Sequence, residues 1–348
     1  MAFVDLTRLT RAAALALLVA LSLPVAGRAQ TAIHFTLDRA IDGPAAPFFL
    51  AIDEGYFKAE GLDVTIDGAP GPLDPINRLA SGDYDMGVAD LNVLIKFRDA
   101  NPTMPIKALF VVFDKPPYAI IGRKSRGIAA PRNLEGKKLG APAAGDAFAE
   151  WPIFAKINNI DTAKVKIEDV GLPVREPMLA AGEVDAITGC SFTAYVDLKD
   201  GGVPADDLVT LLMANYGVEL YGDAVIAAPK FAAEKPEAAR AFLRAYLRAL
   251  KDTVRDPAHA VEAVLRRNDT ARKDVELERL RLAIRDNIVT PAVRAGGYGG
   301  VDPERFDLAL DQIALTYHFT AKDKAAGVFD PSFLPPASDR RVSETASR

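Results

Sequence analysis

The chain has 348 residues, 49 % apolar and 26 % charged, with a formal net charge of −5. That length suits about two domains, and the acidic balance excludes the basic footprint of a nucleic-acid binder. A single cysteine excludes an internal disulfide and any multi-cysteine metal cluster, and three scattered histidines (His34, His259, His318) offer no histidine-rich metal centre; no cofactor is expected.

At the start, Arg8 and Arg11 precede an apolar run at 12–26 that only Ser22 and Pro24 interrupt, and Gly27-Arg28-Ala29 follows. A basic start, a short apolar core and a small-x-small end describe a secretory signal, residues 1–29, cut after about Ala29. The run is too short for a membrane span of roughly 20 residues. The expectation is an exported, periplasmic protein.

Residues 33–37 alternate in the strand manner, 47–57 have helical spacing, 62–66 read as a strand, 75–81 as a helix and 84–89 as a strand. Strands alternating with helices predict an α/β fold on parallel sheets. The run Leu79-Ala80-Ser81-Gly82-Asp83-Tyr84-Asp85 returns one hundred residues later as Leu179-Ala180-Ala181-Gly182-Glu183-Val184-Asp185. Each reads as a helix end, a glycine stop suited to the left-handed cap position, an acidic turn and then a buried strand. Looser echoes, Gly43-Pro44 with 142–145 and Val64-Thr65-Ile66 with Val165-Lys166-Ile167, make two similar lobes the better account. The last third changes character: 234–254, 257–266, 275–288 and 303–316 all have helical spacing, with Pro236, Pro257 and Pro303 near starts. It reads as a helical layer packed on one lobe. Residues 331–348 read as a flexible tail.

In open α/β sheets ligands bind beyond the carboxyl ends of the strands. That rule selects the loops at 38–48, 68–74, 89–92, 142–151 and 189–192, together with 113–118 and 215–221, where the chain would cross between lobes. Each candidate there has a plainer alternative. Asp74, Asp90 and Asp146 precede helical runs and would serve as caps. Phe48, Phe113, Phe192, Tyr216 and the lone Trp151 would stack on a flat ligand or fill the core. Arg39 would pair with Asp38 or Asp42, or grip a ligand carboxylate as a fork. Cys190 reads as a small filler at the end of a strand, and Glu219 joins the set from the second crossing. No nucleophile elbow, phosphate-cradling loop or His-Glu-x-x-His occurs, so a binding protein rather than an enzyme is expected.

The stretch Asp53-Glu54-Gly55-Tyr56-Phe57-Lys58-Ala59-Glu60-Gly61-Leu62-Asp63-Val64 resembles the GYFK-x-EGLDV run of ABC-transporter substrate-binding proteins of the nitrate/sulfonate/taurine and thiamine-pyrimidine-precursor type. The two L-x-x-G-x-x-D runs and Asn133-Leu134-Glu135-Gly136-Lys137-Lys138-Leu139-Gly140 are similar to further stretches of that family. The resemblance implies a two-lobed type II periplasmic binding protein with two mixed sheets flanked by helices. Lobe one would be 30–118 with 225–330, lobe two 119–224, and the crossing strands would run near 117–122 and 222–227. It further implies a monomer that closes on a small-molecule ligand and docks on a membrane permease. Some relatives make a pyrimidine, an activity that goes with a cysteine-rich segment and an active histidine. That enzyme, or a receptor presenting ligand to a membrane sensor, is the alternative. Ala46 stands before Pro47 where the pyrimidine branch often has His, and Leu37-Asp38-Arg39 ends the first strand where that branch often has Leu-Asp-Trp. Aspartates at the helix starts disfavour an anion, since a helix start free of acids is what suits one. A neutral or cationic heterocyclic solute is favoured, while Arg39 pulls towards a carboxylate.

Overall fold

The two pieces of sequence one hundred residues apart build the same corner twice. In the computed structural model, which describes residues 30–342 apart from 70, 72, 144 and 323–326, ten strands form two sheets. The expected signal at 1–29 lies outside the described residues. The strands are β1 (Thr31–Thr36), β2 (Leu62–Asp67), β3 (Met86–Asp90), β4 (Lys107–Val111), β5 (Tyr118–Arg123), β6 (Lys138–Ala141), β7 (Lys166–Asp169), β8 (Ala186–Cys190), β9 (Leu208–Leu212) and β10 (Asp223–Ala227). The first sheet has the order β2-β1-β3-β10-β4 and the second β7-β6-β8-β5-β9. Each is mixed, with a single antiparallel strand one place from the edge, β10 in the first and β5 in the second.

Among the flanking helices are α1 (Ala46–Asp53), α2 (Asp74–Ser81), α3 (Leu91–Ala100), α4 (Trp151–Ile157), α5 (Arg175–Ala181), α6 (Ser191–Asp200), α7 (Pro236–Arg255), α8 (Pro257–Leu265), α9 (Lys273–Ala283) and α10 (Pro303–Ile313). The repeated corner has a physical explanation. Helix α2 stops at Gly82 (φ 84°) and α5 at Gly182 (φ 79°), both in the left-handed region that side chains avoid. Three residues on, an aspartate brackets the neighbouring strand. Asp85 N donates to His34 O at 3.0 Å, and its Oδ2 accepts from His34 N at 2.9 Å. Asp185 makes the same pair with Lys138, both at 2.9 Å. These clamps place Phe35 opposite Met86 and Leu139 opposite Ala186, which sets the register of β3 and β8.

The chain leaves the first sheet after β4 through 112–117 and returns from β9 through 213–222. Arg305 on α10 stitches the two passes: it donates to Asp114 Oδ1 (2.8 Å), Asp114 O (2.7 Å), Leu220 O (2.7 Å) and Glu219 O (3.2 Å). The C-terminal helices pack on the first-sheet body, as the expected helical layer requires. Phe242 of α7 stacks on Phe35 and Phe57, with centroids 4.9 and 4.8 Å apart, and Tyr56 donates to Asp252 at 2.6 Å.

Two expectations change. The helical run 47–57 breaks at Gly55 (φ 69°), leaving α1 and a separate turn of helix Tyr56–Ala59. The expected flexible tail is packed as far as Val342. Phe333 is buried in the core under Arg240, and Arg340 O accepts from Tyr298 N at 2.8 Å. Anchoring by the Phe333 ring and by the paired bonds between Arg340 and Tyr298 outweighs the polar composition of this end. Residues 343–348 lie outside the described set.

Gly82 has open space where a Cβ would stand, so Gly82→Ala tests backbone conformation alone. Urea unfolding is expected to show a loss of about 1–2 kcal/mol; no loss would contradict the left-handed cap.

Candidate functional site

Parallel strands end where their backbone turns into a helix, and in this chain the ends from both sheets converge. The loops after β1, β6 and β8, together with the starts of β5 and β10, surround a cavity of about 430 Å³ whose far wall is Glu276 and Arg279 of α9. A volume of this order suits a small organic molecule. A second depression, of about 510 Å³, lies on the outer side of α7 against Pro335, Ser338 and Asp339, away from these strand ends.

Arg39 organises the wall. Its Nε and Nη2 donate to Asp38 at 2.8 and 2.9 Å, Nη2 also donates to Asp223, and the guanidinium lies 5.4 Å from the Phe113 ring centre. Burial disfavours its charge, but Asp38 and Asp223 outweigh that and hold it protonated. Asp223, at the start of β10, stands opposite Asp90 at the end of β3. Burial, with Asp38 adding to it, drives the Asp223 carboxyl well above the usual range in spite of Arg39.

Asp90 is a true helix cap, accepting from Asn92 N and Val93 N at 2.9 Å each, and it also receives the Tyr118 hydroxyl from the second sheet. Burial lifts it to about 6, against the hydroxyl and the cap bond. Asp146 begins a single helical turn, Asp146–Ala149, without capping it. Burial pushes its carboxyl up to about 7, Asp90, Asp38 and Glu150 adding to the rise and Arg39 opposing it. Asp42 is lifted to about 6 by burial, with Arg39 working against the rise and Glu276 for it.

Of the residues singled out from the sequence, Arg39, Asp146 and Cys190 line the cavity. The Cys190 thiol, pushed up to about 11 by burial, forms a neutral part of the wall. Asp90 touches it through Tyr118. Phe113 and Phe192 meet edge to face at 6.0 Å, and Phe48 stacks on Tyr246 at 4.4 Å, so these rings are core. Trp151 is buried 6.0 Å from Phe154, and Tyr216 meets the same ring at 6.2 Å; neither lines the cavity. Asp74 opens α2 without a capping bond and stands apart from the cavity, and Glu219 lies beside Arg305 at the crossing. The expected grip of Arg39 on a ligand carboxylate gives way to protein carboxylates that already occupy its fork.

Asp38 and Asp42 enter the sequence reading only as partners for Arg39, and Tyr118, Thr188, Asp223 and Glu276 do not enter it as site residues. Asp38 and Asp42 flank Arg39 in a loop the strand-end rule had selected, so that loop carried their signal. Tyr118, Thr188 and Asp223 lie in strands, and Glu276 in a helix, where no local pattern marks them. Among the described residues no group of three or more His, Cys, Asp or Glu is placed to hold a metal, and no helix is long and apolar enough to cross a membrane.

Paired mixed sheets with facing strand ends are the architecture of type II periplasmic binding proteins. The periplasmic aliphatic sulphonate binding protein SsuA of Escherichia coli superposes with a TM-score of 0.69 at 14 % identity, over 88 % of this chain and 94 % of that one. Residues 44–260 match the NMT1/THI5 like family, and the chain belongs to it. Relatives include the riboflavin-binding protein RibY of Chloroflexus aurantiacus, 25 % identical over 63 % of this chain and 62 % of that protein. The formylaminopyrimidine-binding protein of Halalkalibacterium halodurans is 26 % identical over 74 % and 77 %. The 4-amino-5-hydroxymethyl-2-methylpyrimidine phosphate synthase of Aspergillus parasiticus is 28 % identical over 62 % and 65 %. The chain thus spans a little under two thirds of the length of RibY and of the synthase. The synthase corrects the expectation of a protein without enzymatic activity: missing motifs do not exclude catalysis when a relative at this distance is named as an enzyme.

Two outcomes follow from the wall. Asp146 titrates near 7 when folded and near 3.8 as an ordinary carboxyl, so the folded state binds the extra proton between those values. Its contribution is intact below about 4 and is lost as the pH rises to about 7. The stability of Asp146→Asn relative to the unaltered chain, measured by urea unfolding, is therefore expected to grow across that window and level off above it; a pH-independent difference would contradict the shift. Trp151→Ala is expected to cost about 3–5 kcal/mol, the price of an emptied aromatic site in a core. A cost near zero in the same assay would return Trp151 to the surface of the cleft.

Proposed function

We propose that this chain captures a small organic solute in the cavity between two lobes, 30–118 with 225–330 and 119–224, outside the cytoplasm, and presents it to an ABC import permease. One observation carries the reading: the cavity wall is built jointly from the strand ends of two similar sheets, joined among the described residues by two passes of chain. A ligand filling such a space touches both bodies at once, so it binds the closed arrangement better than an open one, and that difference is what shifts the population.

Ion pairs run between the bodies and would re-form on each closure. Lys96 on α3 reaches Glu150 at 2.9 Å, Arg272 beside α9 reaches Asp200 of α6 at 2.9 Å, and Arg279 and Lys199 pair with Asp197 and Glu278. Within the site we assign Asp146 and Cys190 to the lobe-two wall, and Arg39, with Asp38 and Asp223, to the lobe-one wall. Binding proteins among the named relatives support the reading, and so does the fold shared with SsuA.

The test isolates the chain under native conditions and identifies the released small molecule by mass spectrometry, before and after incubation with added solute. A stoichiometric, chemically unchanged solute is expected; conversion of the solute into product would replace capture with catalysis.

A further inference from the structure

The cavity wall carries five carboxylates and three guanidinium groups, and every guanidinium is already engaged by a protein carboxylate. Arg39 serves Asp38 and Asp223. Arg175 donates Nε to Glu176 at 2.9 Å. Arg279 donates to Glu276 at 2.6 Å and also to Asp197. Glu276 is satisfied a second time, by Gly43 N at 2.6 Å.

Two lining carboxylates remain. Asp42 makes no side-chain cap bond to the helical turn it precedes, and its Oδ1 is buried without a hydrogen-bond partner among the described residues. Asp146 likewise leaves its helical turn uncapped, and the pairs formed by the wall's arginines do not include it. One sits in the loop after β1, the other in the loop after β6, so they belong to opposite sheets. Thr188, 1 % exposed on β8, also lines the cavity with its hydroxyl unpartnered, and so does Arg279 Nε. Among the described residues Asp42 Oδ1, the Thr188 hydroxyl and Arg279 Nε are buried without a partner, which is costly, and with the half-buried Asp146 they line a single space.

We propose that the occupant of this cavity is a small organic cation carrying N–H donors at two ends, held between Asp42 and Asp146. The proposal rests on the capture reading above and names the chemical class of its solute. A cation restores the charge balance of the wall, and its donors supply the hydrogen bonds that Asp42 and Asp146 lack. Thr188 and Arg279 Nε are free to meet an acceptor atom, such as a ring nitrogen, on the same molecule. An anion would meet two unpaired carboxylates and three arginines that are already committed.

The experiment is a thermal-shift screen of the chain at pH 7.5 with three shape-matched sets: aromatic amidines such as benzamidine, the corresponding amides, and the corresponding carboxylates. A ligand that prefers the folded state raises the melting temperature by mass action. The rise is expected from the cationic set alone. Calorimetry with the best cation is expected to show affinity falling about tenfold or more in Asp42→Asn and in Asp146→Asn, the scale of a lost hydrogen bond to a charged group. A rise from the amides or carboxylates alone, or unchanged affinity in both folded variants, overturns the cation and leaves capture standing. No rise from any set overturns the cation of this shape, and capture is then decided separately by the solute released from the native chain. The comparison among sets uses the unaltered chain, so it decides even if a variant does not fold.

Discussion

A carboxylate taken out of water must find a cation or donors, because its desolvation otherwise costs several kcal/mol. In this chain that constraint falls on one small space. Asp38 and Asp223 answer it by sharing Arg39, which ties the loop after β1 to the start of β10. Asp90 answers it through its cap and the Tyr118 hydroxyl, which links the two sheets. Asp42 and Asp146 are left without such an answer: among the described residues Asp42 Oδ1 is buried without a partner, and Asp146 is in none of the wall's ion pairs. The cavity wall is therefore incomplete in charge. An occupant that supplies what is missing would stabilise the arrangement that surrounds it, which is what the proposed capture requires.

The position of that space follows from the duplicated corner. A left-handed glycine ends a helix, an aspartate brackets the adjacent strand, and the strand then runs inward to a helix start. With the corner built once per sheet, β3 and β8 end at Asp90 and Cys190, facing a common cleft. The single antiparallel strand of each sheet begins at the same cleft, at Tyr118 and Asp223, and those residues are cross-strand neighbours of Cys190 and Asp90. Two similar frameworks thus deliver different chemistry to one place: acids and Arg39 from the first, and Asp146, hydroxyls and a thiol from the second.

The architecture was legible because it rests on local signals. The Gly-x-x-Asp spacing, the strand–helix alternation and the helical periodicity of the last third each depend on residues near one another in the chain. The site was legible only in outline. The strand-end rule found the loops of Arg39, Asp146 and Cys190, but it could not rank aromatic residues, since burial of Phe48 and Phe192 depends on Tyr246 and Phe113, far away in the chain. Nor could it see that Asp223, 184 residues from Arg39, would claim part of its fork. The order at Phe333 has the same origin, a contact with distant α7 that composition does not reveal. The family adds a lesson of its own, since binders and a synthase both occur among these relatives and absence of a catalytic motif does not separate them.

The most direct test is a crystal structure of the chain with its co-purified solute. The account predicts density in the cavity between the sheets, with donor atoms within hydrogen-bond reach of the Asp42 and Asp146 carboxylates. Density in the depression beside α7, or an anion held by Arg39 with Asp38 and Asp223 displaced, would contradict it.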